Sequence, residues 1–169
     1  MFKVPYRPKL NLPKTTGEII ADIIGIGALL LALLYIALNW VSLPAEVPAH
    51  FNGAGDVDRW GSKFELLILP AIGIGLFAMM HILEKKPHIH NYPDRLNENN
   101  VEAFYSTSRK MLNLMKNLIN ILFAYSIFEI ILIAQEKADS HSMLFGIILI
   151  LVAIFAVVIV GMIKMAKIK

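Results

Sequence analysis

The run from Met143 to Ile163 contains no charged side chain. A helix of about 20 such residues rises roughly 30 Å, the depth of a bilayer's hydrocarbon core. Three other stretches behave alike. Ile23–Ala45 and Leu66–Leu83 lack Asp, Glu, Lys and Arg, and Asn117–Gln135 is interrupted only by Glu129. Composition agrees: 57% of the 169 residues are hydrophobic and 17% are charged, which is far from a soluble domain. A net charge of +3, with its cations set beside apolar runs, points to membrane topology and away from nucleic acid. The absence of cysteine excludes disulfides, thiolate metal sites and cysteine nucleophiles.

The reading is therefore an all-α membrane bundle forming one domain over 1–169. It places helix 1 over 16–42, an external loop over 43–61, helix 2 over 62–83, a cytoplasmic loop over 84–99, a long helix 3 over 100–135 and helix 4 over 143–163. Thr15 and Glu18 have capping-box spacing, as do Ser62 and Glu65, while Leu43-Pro44 ends helix 1. The basic N-terminal segment precedes an apolar run too long for a signal-peptide core, so helix 1 is expected to be retained. Ala21, Gly25, Ala28 and Ala32 form a small-residue stripe on helix 1, and Ala71 and Gly75 a second on helix 2. Val101, Phe104, Tyr105, Met111, Leu112, Met115, Leu118 and Ile119 have amphipathic spacing, which predicts that the first half of helix 3 lies outside the bilayer or along its surface.

Thirteen of the sixteen Lys and Arg residues flank one set of helix ends: Lys3, Arg7, Lys9 and Lys14, then Lys85, Lys86, Arg95, Arg109, Lys110 and Lys116, then Lys164, Lys167 and Lys169. Only Arg59, Lys63 and Lys137 lie on the other side. The positive-inside rule then makes both termini cytoplasmic and the 43–63 loop external. Trp40 and Trp60 bracket that loop as interfacial anchors.

A connection of about twenty residues is long for a compact domain and is usually functional or disordered. Its prolines, glycines and short polar residues predict an ordered series of turns. His50, Asp56 and Asp58 are weak metal candidates without zinc-type spacing. Ser62 has a cap to make and no nucleophile elbow around it. His81, His88 and His90 cluster at the cytoplasmic end of helix 2 without a metal-site spacing, and Met111 and Met115 read as packing. No cofactor is implied. Glu129 lies about 9 Å below the external end, where a carboxylate either meets a partner or snorkels to water. Lys63, Arg59 and His50 are the partners expected if it anchors the loop.

Leu43, Pro44, Val47, Pro48, His50, Phe51, Asn52, Gly55, Asp58, Gly61, Ser62 and Lys63 read as LP-x-x-VP-x-HFN-x-x-G-x-x-D-x-x-GSK. This resembles the signature of the domain of unknown function 1648, found in bacterial membrane proteins related to SdpI, the immunity protein of a secreted toxin peptide. The resemblance covers the first two helices and their loop. It implies a multi-pass protein of the bacterial cytoplasmic membrane that protects against, or senses, an external peptide through the 43–63 loop. The expected partners are the lipid bilayer, an external peptide or another membrane protein, and a cytoplasmic regulator. Two other classes stand beside this non-enzymatic reading: a small transporter or channel component with Glu129 and Asn39 on a polar path, and a membrane metalloenzyme using His50, Asp56 and Asp58.

Overall fold

A computed structural model describes residues 6–169, so Lys3, one of the cations counted above, lies outside the described residues. Among the described residues four helical segments are long and apolar enough to cross a membrane: α1 (Thr16–Asn39), Lys63–Glu84, which contains α2 (Ile68–Glu84), α3 (Val101–Ala134) and α4 (Ser140–Lys167). α3 is the axis, packed against α1, α2 and α4, while α1 and α2 touch each other far less. Ile23, Leu31 and Leu38 on α1 and Phe145, Val152 and Phe155 on α4 are exposed, which is the surface a bilayer would cover.

The helix ends follow local chemistry. Thr15 caps α1 in a complete capping box with Glu18. At the far end the Asn39 carbonyl accepts from the Ser42 and Leu43 N–H groups at 3.0 and 2.9 Å, turning the chain before Pro44. Ser62 Oγ accepts from the Phe64 N–H at 3.4 Å, but the turn it caps is a 3-10 turn, Lys63–Leu67, and α2 begins only at Ile68. Glu65 turns to Arg59 at 2.9 Å. Pro70 falls in the first turn of α2, where a missing N–H costs no helix bond.

The segment expected to be a string of turns contains a β-hairpin. β1 (Glu46–Phe51) pairs antiparallel with β2 (Val57–Ser62), with irregular register around His50. Val47 and Pro48 are both buried although adjacent, and the register shifts just beyond them, so the strand does not show simple alternation. Val47 is 1% exposed and packs with Ile36, Leu43, Leu66, Ile131 and Met143. At the opposite end Tyr92, Val101, Phe104 and Tyr105 form a second core with Leu12 and Ile168. Arg95 caps the carbonyls of Met165 and Ile168 at 2.8 and 3.1 Å, and Asn100 Nδ2 donates to the Lys169 carbonyl. The N-terminal segment, the 85–100 loop and the chain's last residues thus share one end, called here the basic end.

Met111 packs on Gly161 and Tyr125 on Gly146, which sets Arg109–Asn120 of α3 beside α4. The inward face there is polar, with Arg109, Asn113, Lys116, Asn117 and Asn120 buried and Leu114 exposed; in a bilayer the apolar side belongs outside. On α2, Gly75 has open space and Ala71 is exposed, whereas Gly73 lies against Phe123.

Gly25 is the closest approach of α1 to α3. A Cβ there would stand 2.2 Å from Asn117 Oδ1 and 2.8 Å from Asn117 Cβ, and Asn117 is fixed by bonds to Asp22 and to the Asn113 carbonyl. Gly25→Leu should lower stability by about 1–3 kcal/mol through overpacking, whereas Gly27→Leu, with nothing within 4 Å, should stay within about 1 kcal/mol of the parent. Thermal unfolding of both variants in detergent checks this, and equal losses would refute the packing assignment.

Candidate functional site

The hairpin turn is built by Asn52. Its Oδ1 accepts from the N–H groups of Ala54 and Asp56 at 2.9 and 3.0 Å, and its Nδ2 donates to Asp56 Oδ2 at 3.2 Å. Gly55 has φ +94° and lies against Leu144 of α4, so a side chain at this position would be both strained and crowded. His141 Nε2 faces Asp56 Oδ1 at 3.7 Å. On the strands, His50 Nδ1 meets Asp58 Oδ1 at 2.5 Å, and Arg59 bridges Glu65 and the Ala49 carbonyl. Gly61 is crowded in a different way, since a Cβ would stand close to the Glu65 carboxylate and 2.9 Å from Ala49 Cβ. Lys63 donates to the Trp40 carbonyl at 3.0 Å and stacks over its ring, while Trp60 stays exposed.

Thus His50 and Asp58 form a dyad, but Asp56 belongs to the turn. No group of three His, Asp or Glu suited to a metal occurs among the described residues. His81, His88 and His90 also diverge. His81 lies beside Lys116 and Phe77, and His90 is held between Ser108 and the Leu83 carbonyl.

Beneath the hairpin runs a cleft of about 390 Å³. Pro48, His50, Phe51 and Arg59 form its roof, Leu66 and Leu69 one wall, and Ser126, Ile130 and Met143 the floor. It carries charge at its mouth and apolar groups at its base. Glu129 does not anchor the roof. Lys63, Arg59 and His50 each bond elsewhere, and Glu129 Oε2 is buried without a hydrogen-bond partner. The roof is held instead by apolar burial at Val47 and by the seat of Gly55 on α4. Asn39 is likewise engaged, bonded to the Tyr35 carbonyl and to Gln135.

A second polar assembly lies toward the basic end. Arg109 donates to both oxygens of Glu18, at 2.8 and 3.0 Å, and to the Leu12 and Pro13 carbonyls. Lys116, whose side chain is 0% exposed, pairs with Glu84 and, at 3.0 Å, with Asp22. Lys14 bridges the same two carboxylates; burial alone would lower its pKa, but they raise it. Asn113 and Asn117 donate to Asp22 at 2.8 Å. A cavity of about 360 Å³, lined by Leu12, Lys14, Glu84 and Arg109 among others, opens beside this assembly.

Residues 27–74 match the family model described as Domain of unknown function (DUF1648). The chain is thus similar to this family over those residues. A protein of Archaeoglobus fulgidus described as "Uncharacterized protein" is 40% identical over 86 residues, covering 50% of this chain and 45% of the relative. The chain therefore spans less than half the length of that relative. No solved structure matches.

The matched segment takes in the upper part of α1, the whole hairpin and the start of α2. It includes the roof of the cleft and one wall, and leaves the floor to α3 and α4. The ion assembly draws on Asp22, Glu84 and α3, all outside that segment. Sequence reading counted Arg109 and Lys116 only as topological charges and did not single out Asp22, Glu84, Asn113, Asn117 or Asn120. The available signal was the polar recurrence at 109, 113, 116, 117 and 120, a helical stripe amid apolar neighbours.

Two predictions test the basic end. Arg109→Met strands a buried carboxylate and should cost about 3–5 kcal/mol, while the double variant E18M/R109M should recover most of that loss; detergent unfolding curves decide, and a double variant as weak as the single one would contradict the pairing. For His90, burial lowers the pKa below its ordinary 6.5. The unfolded chain then binds the proton more readily, so the stability from neutral His90 is full above about 6.5 and fades as pH falls through the lower folded value. Between about pH 7.5 and about pH 5 the parent should lose more thermal stability than His90→Gln.

Proposed function

We propose that this is a non-enzymatic multi-pass protein whose hairpin faces outward and recognises an external peptide, serving immunity or sensing. The positive-inside bias supports cytoplasmic termini, since the cation-rich segments gather at the end opposite the hairpin. The resemblance suggests a bacterial cytoplasmic membrane, and the Archaeoglobus fulgidus relative extends the range of hosts to consider.

The observation that carries the reading is the cleft under the hairpin. A preformed groove with apolar walls and a His–Asp and Arg–Glu rim suits a short extended segment, whose apolar side chains fill the base while its polar groups meet the rim. A roof fixed by the Asn52 turn loses little freedom when it binds, so more of the contact energy is available as affinity. Recognition residues in this reading are Pro48, His50, Phe51, Asp58 and Arg59. Pro44, Asn52, Gly55, Gly61, Ser62 and Lys63 hold the roof in shape.

Cells expressing the chain, challenged with a panel of membrane-active peptides, should tolerate at least one of them at roughly tenfold higher concentration, equivalent to about 1.4 kcal/mol if binding is limiting. Ser126→Trp, which fills the floor without touching the rim, should abolish that gain while the protein remains folded in the membrane. Protection that survives this substitution would remove the cleft from the function.

A further inference from the structure

We propose that the furrow between α3 and α4 at the basic end binds one anionic phospholipid, its phosphate held by Lys110, Lys164 and Thr107. The furrow has a volume of about 360 Å³, and its other lining side chains include Met111, Leu114, Val157 and Val160. Three features select the occupant.

The first is charge. Lys14 and Lys116 are each held by two carboxylates, whereas Lys110 and Lys164 have no ion pair or hydrogen bond among the described residues, and both are exposed. Two free ammonium groups and a hydroxyl around one recess match a phosphate. A zwitterionic headgroup brings its own cation and gains less.

The second is the apolar wall that continues from the charged mouth. Lys164 to Val157 covers seven residues, about 10 Å along the helix axis, and runs into the charge-free part of α4. An acyl chain could lie on Leu114, Val157 and Val160, which free phosphate could not exploit.

The third is shape. Met111 lies on Gly161, so the two helices close tightly beneath the furrow and give it a floor. Basic recesses of this kind between helices, at the end where the positive-inside rule places cations, are where anionic headgroups gather.

The test uses the full chain purified in detergent, with native mass spectrometry against phosphatidylglycerol and phosphatidylcholine of the same acyl chains. Phosphatidylglycerol should be retained preferentially. K110Q/K164Q should weaken its retention about tenfold, and Val160→Trp should weaken it without changing any charge. Lys137→Gln, at the opposite end, should bind as the parent does. Equal retention of the two lipids, or a K110Q/K164Q protein that keeps phosphatidylglycerol as well as the parent, would overturn the proposal. So would displacement of the lipid by inorganic phosphate alone.

Discussion

A carboxylate between apolar helices is costly unless a cation matches it, and three carboxylates among the described residues meet that condition, while Glu129 keeps one buried oxygen without a partner. Arg109 matches Glu18, and in a second, connected group Lys14 and Lys116 each pair with both Asp22 and Glu84. Its members come from α1, α2, α3 and the segment before α1, so satisfying one pair fixes the height of the others. Lipid offers little hydrophobic drive for helix association, and polar contacts therefore weigh more in setting which faces meet. A slide of α3 by one turn along α1 would part Arg109 from Glu18 and Asn117 from Asp22 together. The Gly25 contact reinforces the same register, because only one residue of that stripe leaves room for Asn117.

With the helices fixed at that end, the other is free to carry a shaped surface. The hairpin is too small to be stable in isolation, as two-stranded ribbons generally are. It draws its order from the bundle through Val47 in the core and Gly55 against α4. Its own turn is closed by Asn52, so the seat on the bundle and the turn support each other. The matched segment supplies this hairpin, yet the cleft beneath it is complete only once α3 contributes Ser126 and Ile130 and α4 Met143. The cleft thus depends on packing outside the matched segment.

The four spans were legible because hydropathy is a property of long windows, insensitive to detail at any one residue. The hairpin was not, for reasons visible in its residues: Pro48 lacks a strand donor, the irregular register at His50 breaks alternation, and Gly61 is a poor strand former chosen for the space beside Glu65. Helix 3 illustrates a different difficulty. Its period was legible, but which side packs inward was not: over Arg109–Asn120 the buried side carries Arg109, Asn113 and Lys116, and Leu114 is exposed. Glu129 drew attention as an isolated charge in a span, while Asp22 and Glu84, near helix ends, looked ordinary and proved to be the better connected.

The chain therefore separates two uses of polarity in an apolar surrounding. At the basic end, charges are paired inside the bundle and hold it together, leaving Lys110 and Lys164 on the outer face of α3 and α4 unmatched. At the hairpin end the polar groups are paired on the surface, His50 with Asp58 and Arg59 with Glu65, where water weakens each pair and an incoming group can replace a partner at small cost. Buried pairs of the first kind are poor exchangers, since breaking one strands a charge away from water. Exchangeable polarity beside a preformed apolar cleft is the combination that recognition requires, and in this molecule it occurs at the hairpin.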